Sequence, residues 1–377
     1  MGATLAELAL PAGASRAARR TFFIAGIAAA NLPDADLVYT RITPAPLGSL
    51  LHHRGHTHTI AGIALLGLAM IAVCLVPRVR VGIEPLRARL WALIGIGLAS
   101  HLVLDSWNSY GVHPFWPLTT RWYYGDAVYI LEPWLWLLLG VAAVLNTLNV
   151  PGRLLFGVAL TGLVAVGASL GVIPVAALIA LLVTAAVLAA LLRPREPRRR
   201  SAAALVLGLV FVAGLFALRA AARGEVLAAT EVAVRPRLVD VVLSPAAANP
   251  FCWSVLTIAR DETSSQYVMT RGSAAVLLPS GCGAGRASAV DWDAPRTQSL
   301  AALRARYRAD CWVRGWMQFG RAPQIVGDTI SDLRYGGVPR GNFTTMALLP
   351  PVEAARCPAN LTAWRPPRAD LLDAAPD

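Results

Sequence analysis

The sequence predicts a mainly α-helical protein: a polytopic transmembrane bundle of about seven spans, followed by a C-terminal extracytoplasmic α+β domain. Hydrophobic residues make up 56% of the 377-residue chain and charged residues only 15%, whereas soluble domains contain about 25% charged residues. The apolar residues form long runs before residue 222, and the sequence after it is mixed. We therefore divide the chain into a transmembrane domain, 1–222, and a soluble domain, 223–377.

Six apolar runs are close to the length of about 20 residues that crosses about 30 Å of hydrocarbon. They are 59–76, 89–107, 128–148, 153–172, 174–192 and 202–222. A shorter run, 21–32, becomes a seventh span if the residues before it extend the helix. This composition excludes a disordered chain and is not that of an ordinary cytosolic enzyme.

The arginines predict the orientation of the bundle, because cytoplasmic loops of membrane proteins are rich in basic residues. The chain has no lysine, and thirteen of the seventeen arginines before residue 222 fall on one face when seven spans alternate. These are Arg16, Arg19, Arg20, Arg78, Arg80, Arg87, Arg89, Arg153, Arg193, Arg195, Arg198, Arg199 and Arg200. The C-terminal domain is then exported. The net charge of +12 follows from topology, and we expect no specific binding of nucleic acid.

Four of the five cysteines lie in the predicted exported domain: Cys252, Cys282, Cys311 and Cys357. An even number in an oxidising compartment suggests two disulfides, with three possible pairings. Four free thiols are the alternative. A zinc site is less favoured, because this domain has no CxxC spacing and no histidine.

Three short segments concentrate ionisable residues on the predicted outer face, where such residues are functional candidates. In NLPDAD, Asp34 and Asp36 follow a helix end at Pro33 and can reach one cation, or they are simply solvated acids. In ASHLVLDSW, His101 and Asp105 are spaced i, i+4 and therefore lie on one helix face. They either chelate one metal ion or form a hydrogen-bonded structural pair. In LHHRGHTHT, four histidines precede a span. They are His52, His53, His56 and His58.

Histidine and carboxylate donors without cysteine suit zinc, with manganese or iron as alternatives. We expect His58, His101 and Asp105, with Asp34 or Asp36, to hold a divalent ion, and the two aspartates could add a second one. A metal of this kind lowers the pKa of bound water to ~7. The reaction class is therefore metal-assisted hydrolysis. Asp126 and Glu132 flank an aromatic segment typical of a membrane interface, and we retain them as possible outer ligands.

The segments NLPDAD, HHRGHTHT, SHLVLDSWNSYG, FWPL and GDAVYILEPWLW resemble, in order and spacing, the YdjM-type family of inner-membrane metal-dependent hydrolases. The resemblance is specific over residues 1 to about 150 and looser beyond them. It falls on Asp34, Asp36, His53, Arg54, His58, His101 and Asp105. It implies metal ligation by the aspartates and histidines, and a catalytic role for Arg54 and Asp36. His52 and His56 are possible outer ligands, and His56 and His113 stand at positions that the family pattern leaves variable.

The family usually opens with an Asp-x-x-Thr-His segment, whose histidine resembles a metal ligand, and no histidine precedes His52 here. We expect the DNA upstream to encode such a segment in frame. An in-frame stop codon immediately before Met1 would instead indicate a member that lacks this ligand.

The motif order is distantly similar to that of zinc-dependent phospholipases C and single-strand nucleases. This similarity implies a phosphoester substrate, such as a phospholipid, with Arg54 as a phosphate clamp. A membrane scaffold with a structural metal is one alternative. A transporter is another, although the spans 153–172 and 174–192 have almost no polar residues at mid-helix.

In the exported domain, short strands alternate with turns, and 297–319 is predicted as one amphipathic helix.

The predicted orientation can be tested with a reporter that is active only in the cytoplasm. We expect activity when the reporter is inserted in the arginine-rich 193–200 loop, and none when it follows Asp377. The opposite pattern would show that the bundle is inverted.

Overall fold

The computed structural model describes residues 1–76, 84–147, 150–277, 282, 289–336 and 341–372. Its N-terminal part is helical. The helices are α1 (Gly2–Ala9), α2 (Arg16–Ala29), α3 (Leu47–His52), α4 (Ile60–Leu75), α5 (Arg87–Ser106), α6 (Pro133–Asn146), α7 (Val150–Ser169), α8 (Val175–Leu192) and α9 (Pro197–Ala229). Short 3-10 turns connect several of them, among them Leu32–Val38 and His56–His58.

Among the described residues, four helices are long and apolar enough to cross a membrane: α7, α8, α9, and α5 with its preceding turn. Two bent pairs, Arg16–Ala29 with Leu32–Ile42 and Leu47–His58 with Ile60–Leu75, raise the number to six if each is one broken span. The prediction of several apolar spans is thus confirmed. The count of seven stays a prediction, since α6 has only 14 residues, and Arg78 and Arg80 lie outside the described residues.

The two bends have local causes. Helix α2 ends at Ala29, and Pro33, which has no backbone N–H, stands in the first turn of the 3-10 segment that follows. At the second bend Thr59 begins a new helix, because its side chain accepts a hydrogen bond of 2.8 Å from the backbone N–H of Gly62. Both bends therefore follow from the sequence at the break.

The C-terminal part contains two antiparallel sheets. The first has the order β1 (Leu238–Ala246), β2 (Asn249–Asp261), β3 (Gln266–Ala275) and β4 (Val290–Trp292), with β5 (Arg296–Ser299) also on β3. The second is formed by β6 (Pro323–Val326), β7 (Thr329–Asp332) and β8 (Met346–Ala347). Three helices accompany them: α10 (Leu300–Ala309), α11 (Cys311–Met317) and α12 (Pro351–Ala354). This confirms a sheet-rich C-terminal domain.

The single helix predicted over 297–319 is wrong, because this segment begins in strand β5 and then forms two helices, α10 and α11. The break falls at Asp310, whose carboxylate accepts hydrogen bonds from the backbone N–H groups of Trp312 and Val313 at 2.9 and 3.1 Å. This is an N-cap, and it starts a new helix.

Helix α9 joins the two parts of the chain. It continues past the predicted boundary at 222/223 and ends at Ala229. Its last turns are part of the core of the first sheet, where Ala222 and Val226 are buried with Val241 and Trp253. The helix therefore belongs to both parts.

The cysteines of the C-terminal domain form two disulfides, as predicted. Cys252 is paired with Cys282 and Cys311 with Cys357, with Cα–Cα distances of 5.3 and 4.9 Å. The structure thus selects one of the three possible pairings.

The C-terminal domain packs directly on the helical part. One core contains leucines of α3 together with Trp316 and Phe319. Two indole N–H groups donate across the contact, from Trp364 to the Leu51 carbonyl at 2.8 Å and from Trp122 to the Gln318 carbonyl at 2.7 Å. The two parts therefore share one hydrophobic interior.

A buried ion pair adds to this contact. Both terminal nitrogens of Arg321 donate to Asp126 at 2.8 Å, and Arg321 also contacts Asp240 at 2.7 Å. Burial raises the pKa of Asp240, but the charges of Arg321 and Arg368 more than offset this effect and lower it to about 2. The carboxylate is therefore charged at neutral pH.

We expect Asp126→Asn to destabilise the protein by about 1.5–3 kcal/mol, because it removes two hydrogen bonds between charged groups and leaves the buried Arg321 with Asp240 as its one remaining carboxylate among the described residues. Thermal unfolding in detergent measures the effect. Arg237→Gln is the control: it removes an exposed arginine paired with Asp261, and exposed pairs contribute about 0–1 kcal/mol. Equal midpoints for the two variants would show that the Arg321 pair is not stabilising.

Candidate metal centre

The side chains singled out in the sequence lie where helices break or end. Asp34 and Asp36 are on the 3-10 turn Leu32–Val38, and His58 closes the turn that precedes α4. His101 and Asp105 occupy the last turns of α5. The structure brings these three elements together at one point.

Four of these residues, Asp34, His58, His101 and Asp105, direct one ligand atom each to a common point, and these atoms all lie within 4.8 Å of one another. The Nε2 atoms of His58 and His101 are 3.1 Å apart, and each is 3.4 Å from Oδ1 of Asp34. Oδ2 of Asp105 is 3.1 Å from Nε2 of His58. We call this set the four-donor group.

The second nitrogen of each imidazole defines its tautomer. Nδ1 of His101 is 2.8 Å from the carbonyl oxygen of Ala30, and Nδ1 of His58 is 3.2 Å from Oδ2 of Asp36. Both oxygens only accept hydrogen bonds, so in each neutral ring Nδ1 carries the proton and Nε2 exposes a lone pair. Two lone pairs that face each other repel, and a metal ion between them would remove this repulsion.

The carboxylate of Asp105 leads to the same conclusion. Its Oδ2 is buried and has no hydrogen-bond partner among the described residues. An unpaired buried carboxylate oxygen is costly. The donor set therefore fits a divalent metal ion.

Asp36 stabilises the turn between α3 and α4 and does not belong to the four-donor group. It is fully buried, and Oδ2 accepts from the backbone N–H of Arg54 at 2.9 Å and from the hydroxyl of Thr57 at 2.8 Å. Oδ1 is 2.9 Å from Nδ1 of His53. Asp36 and His53 do form a second possible group with Asp34, but both oxygens of Asp36 are already engaged.

Arg54 positions Asp105. Its Nη2 is 2.9 Å from Oδ1 of Asp105, and its Nη1 donates to Oδ1 of Asn108 at 3.0 Å. The guanidinium carbon is also 4.9 Å from the ring centre of Tyr110. These contacts leave Oδ2 of Asp105 directed at the histidines.

Two glycines allow the elements to approach. A Cβ on Gly62 would lie 1.9 Å from the carbonyl oxygen of His56, and one on Gly97 would lie 2.8 Å from Cβ of Ala29. Gly97 is one turn before His101, so close packing of α5 on the end of α2 places the imidazole beside Ala30.

Two of the predicted outer ligands make other contacts. Nε2 of His52 is 2.7 Å from the hydroxyl of Thr43, and His56 packs between Trp116 and Trp364 with ring-centre distances of 4.7 and 4.9 Å. Neither belongs to a convergent donor group within the described residues.

The remaining candidates lie on the loop between α5 and α6. Asp126 pairs with Arg321, and Glu132 caps α6 by accepting from the backbone N–H of Trp134 at 3.3 Å. His113 is buried with its ring centre 3.9 Å from Trp122, and burial lowers its pKa to about 3. His113 is therefore neutral and structural.

Two contributors were not identified from the sequence. Thr57 donates to Asp36, and Asn108 accepts from Arg54. Both stand inside the quoted motifs, HHRGHTHT and SHLVLDSWNSYG. Their polarity next to a predicted span is the sequence signal that points to them.

The fold and the four-donor group define a membrane protein with a candidate metal centre at its helix ends. Residues 1–180 match the model of the family described as YdjM inner membrane protein, which confirms the resemblance found in the sequence. This N-terminal part, slightly less than half of the chain, is thus similar to that inner membrane family. No curated protein and no solved structure matches the chain significantly.

We expect His101→Ala to release the metal from the purified protein, because the substitution removes one of the four ligand atoms that converge on the site. Metal analysis of the detergent-solubilised protein measures the stoichiometry, and membrane fractionation checks insertion. His56→Ala is the matched control and should retain the metal. Full stoichiometry in His101→Ala would make His101/Asp105 a structural pair.

Proposed function

We propose that the protein is a membrane-bound, metal-dependent hydrolase that acts on an ester or phosphoester at the outer face of a bacterial inner membrane. The observation that supports it is the four-donor group, in which two imidazole lone pairs and two carboxylates converge. The absence of sulfur in this donor set suits zinc, with manganese or iron as alternatives. Such an ion activates water as a nucleophile near neutral pH.

The residues around the group have distinct roles in this proposal. His58, His101, Asp105 and Asp34 hold the ion. Asp36 fixes the tautomer of His58, as outer carboxylates do for metal-bound histidines. Two nitrogens of Arg54 are already engaged with Asp105 and Asn108, so we assign Arg54 to positioning Asp105 rather than to clamping a phosphate.

Accessibility favours a catalytic over a structural metal. The side chain of Asp34 is 44% exposed, whereas that of His58 is fully buried. Catalytic zinc sites keep one open position, and structural sites are closed by their ligands. The open side at Asp34 gives a substrate a route to the ion.

The surroundings of Asp34 favour a membrane-borne substrate. Leu37 and Val38, on the same turn, are 53% and 84% exposed. Apolar side chains beside an open polar site fit an amphiphile with an acyl part and a hydrolysable head. A phospholipid or another lipid phosphoester has this chemistry.

The two disulfides support the proposed location of the C-terminal domain. Disulfides persist in oxidising compartments such as the periplasm. The arginine-rich segment 193–200 precedes the apolar part of α9, so the positive-inside rule supports a periplasmic location for the other end of α9.

The proposal is tested by hydrolysis assays on the purified, zinc-loaded protein. The panel contains bis-p-nitrophenyl phosphate, p-nitrophenyl acetate and vesicles of phosphatidylglycerol. Loss of an outer-shell partner costs about 10–100-fold in metal affinity or activity, so we expect Asp105→Asn, at the ligand itself, to lose at least about 100-fold in activity. Asp293→Asn, an exposed carboxylate of the C-terminal domain, is the matched control and should retain full activity.

A chelator should abolish turnover, and added zinc should restore it. A protein that holds stoichiometric metal, hydrolyses nothing in the panel and unfolds on chelation would contradict the hydrolase proposal. That result would favour the scaffold with a structural metal.

A further inference from the structure

A cavity of about 460 Å³ lies where the loop between α5 and α6 meets the C-terminal domain. None of the four-donor residues lines it. Its charged lining consists of Arg121, Arg321, Arg365, Arg368, Asp240 and Asp370. The lining thus contains four arginines and two acidic residues. The volume is within the usual range of ligand sites, about 300–1,000 Å³.

One wall of the cavity is held rigidly by ion pairs. Arg321 is buried, contacts Asp126 and Asp240, and lies over the ring of Tyr124 with its guanidinium carbon 4.1 Å from the ring centre. Arg368 is 3.2 Å from Asp240 and 3.4 Å from Asp370. The carboxylates in and beside the lining are therefore engaged by these two arginines.

The other arginines are placed differently. Arg121 is exposed, and within the described part of the chain its guanidinium makes no ion pair and no hydrogen bond. The backbone N–H of Arg365 donates to the carbonyl of Thr120 at 3.1 Å, which holds Arg365 beside Arg121. Arg121 thus lines the cavity with a positive charge that has no carboxylate partner among the described residues.

Tyr124 adds a further unsatisfied donor to the lining. Its hydroxyl is buried and has no hydrogen-bond partner among the described residues. Buried hydroxyls without a partner are uncommon and costly. An excess of guanidinium groups beside such a hydroxyl is the chemistry that recognises phosphate.

We propose that this cavity binds a phosphate-bearing anion, with Arg121 as its main contact. The neighbouring side chains suggest the lipid source of such an anion. Leu118 is 91% exposed and Phe115 43% exposed on the same loop, and apolar side chains next to basic groups are typical of the lipid–water interface. A soluble phosphoester has the same charged group without the acyl chains.

The test is a calorimetric titration of the full-length protein in neutral detergent with dihexanoyl-phosphatidylglycerol and, separately, with glycerol 3-phosphate. We expect Arg121→Gln to weaken binding about tenfold or more, since hydrogen bonds to charged groups contribute about 1.5–3 kcal/mol and 1.4 kcal/mol is tenfold. Arg306→Gln, an exposed arginine on α10, is the matched control for one lost charge and should bind as the wild type does.

The titrations are repeated with EDTA, because the metal centre is a second place where a phosphate could bind. The effect of Arg121→Gln should persist after chelation, which separates this site from the proposed hydrolase centre. If Arg121→Gln weakens the binding of both probes, the site recognises the phosphate group alone. If it weakens the binding of dihexanoyl-phosphatidylglycerol but not of glycerol 3-phosphate, the site recognises a lipid headgroup. Absence of binding by either probe, or equal affinities of Arg121→Gln and wild type, would overturn the proposal.

Discussion

The buried carboxylate of Asp36 is the contact on which the arrangement of the candidate metal centre depends. It lies on one helix break and binds the other, through the backbone N–H of Arg54, the hydroxyl of Thr57 and the imidazoles of His53 and His58. A buried carboxylate is tolerated only with such partners. Because Arg54 has a positive φ of 58°, the turn it occupies is held by this contact and not by regular helix geometry.

The two broken helices make this arrangement possible in an apolar domain. A continuous helix satisfies its own backbone groups and presents only side chains, whereas a break exposes N–H and carbonyl groups that need partners. Here the Ala30 carbonyl at the end of α2 accepts from His101, and the N–H of Arg54 donates to Asp36. Backbone groups that have no helical partner at the two breaks thus orient His101 and Asp36.

The C-terminal domain stabilises the same region from the other side. Trp364 donates to the carbonyl of Leu51 directly before the histidine segment, and Arg321 binds Asp126 after α5. The disulfide between Cys311 and Cys357 ties the segment that leads to Trp364 to helix α11. The segments that contain the four-donor group therefore contact both the apolar helices of the N-terminal part and the disulfide-linked C-terminal domain.

The sequence by itself determined the features that depend on residue type and short spacing. Long apolar runs indicate helices in any context, and the i, i+4 spacing of His101 and Asp105 predicts one helix face because α-helix geometry is regular. An even number of cysteines indicates two disulfides. Only the tertiary structure separated Asp34, at the four-donor group, from Asp36, which holds the turn, and only it joined Asp126 to Arg321. Outside regular helices, the direction of a side chain is set by backbone hydrogen bonds and by partners distant in sequence, which no local pattern contains.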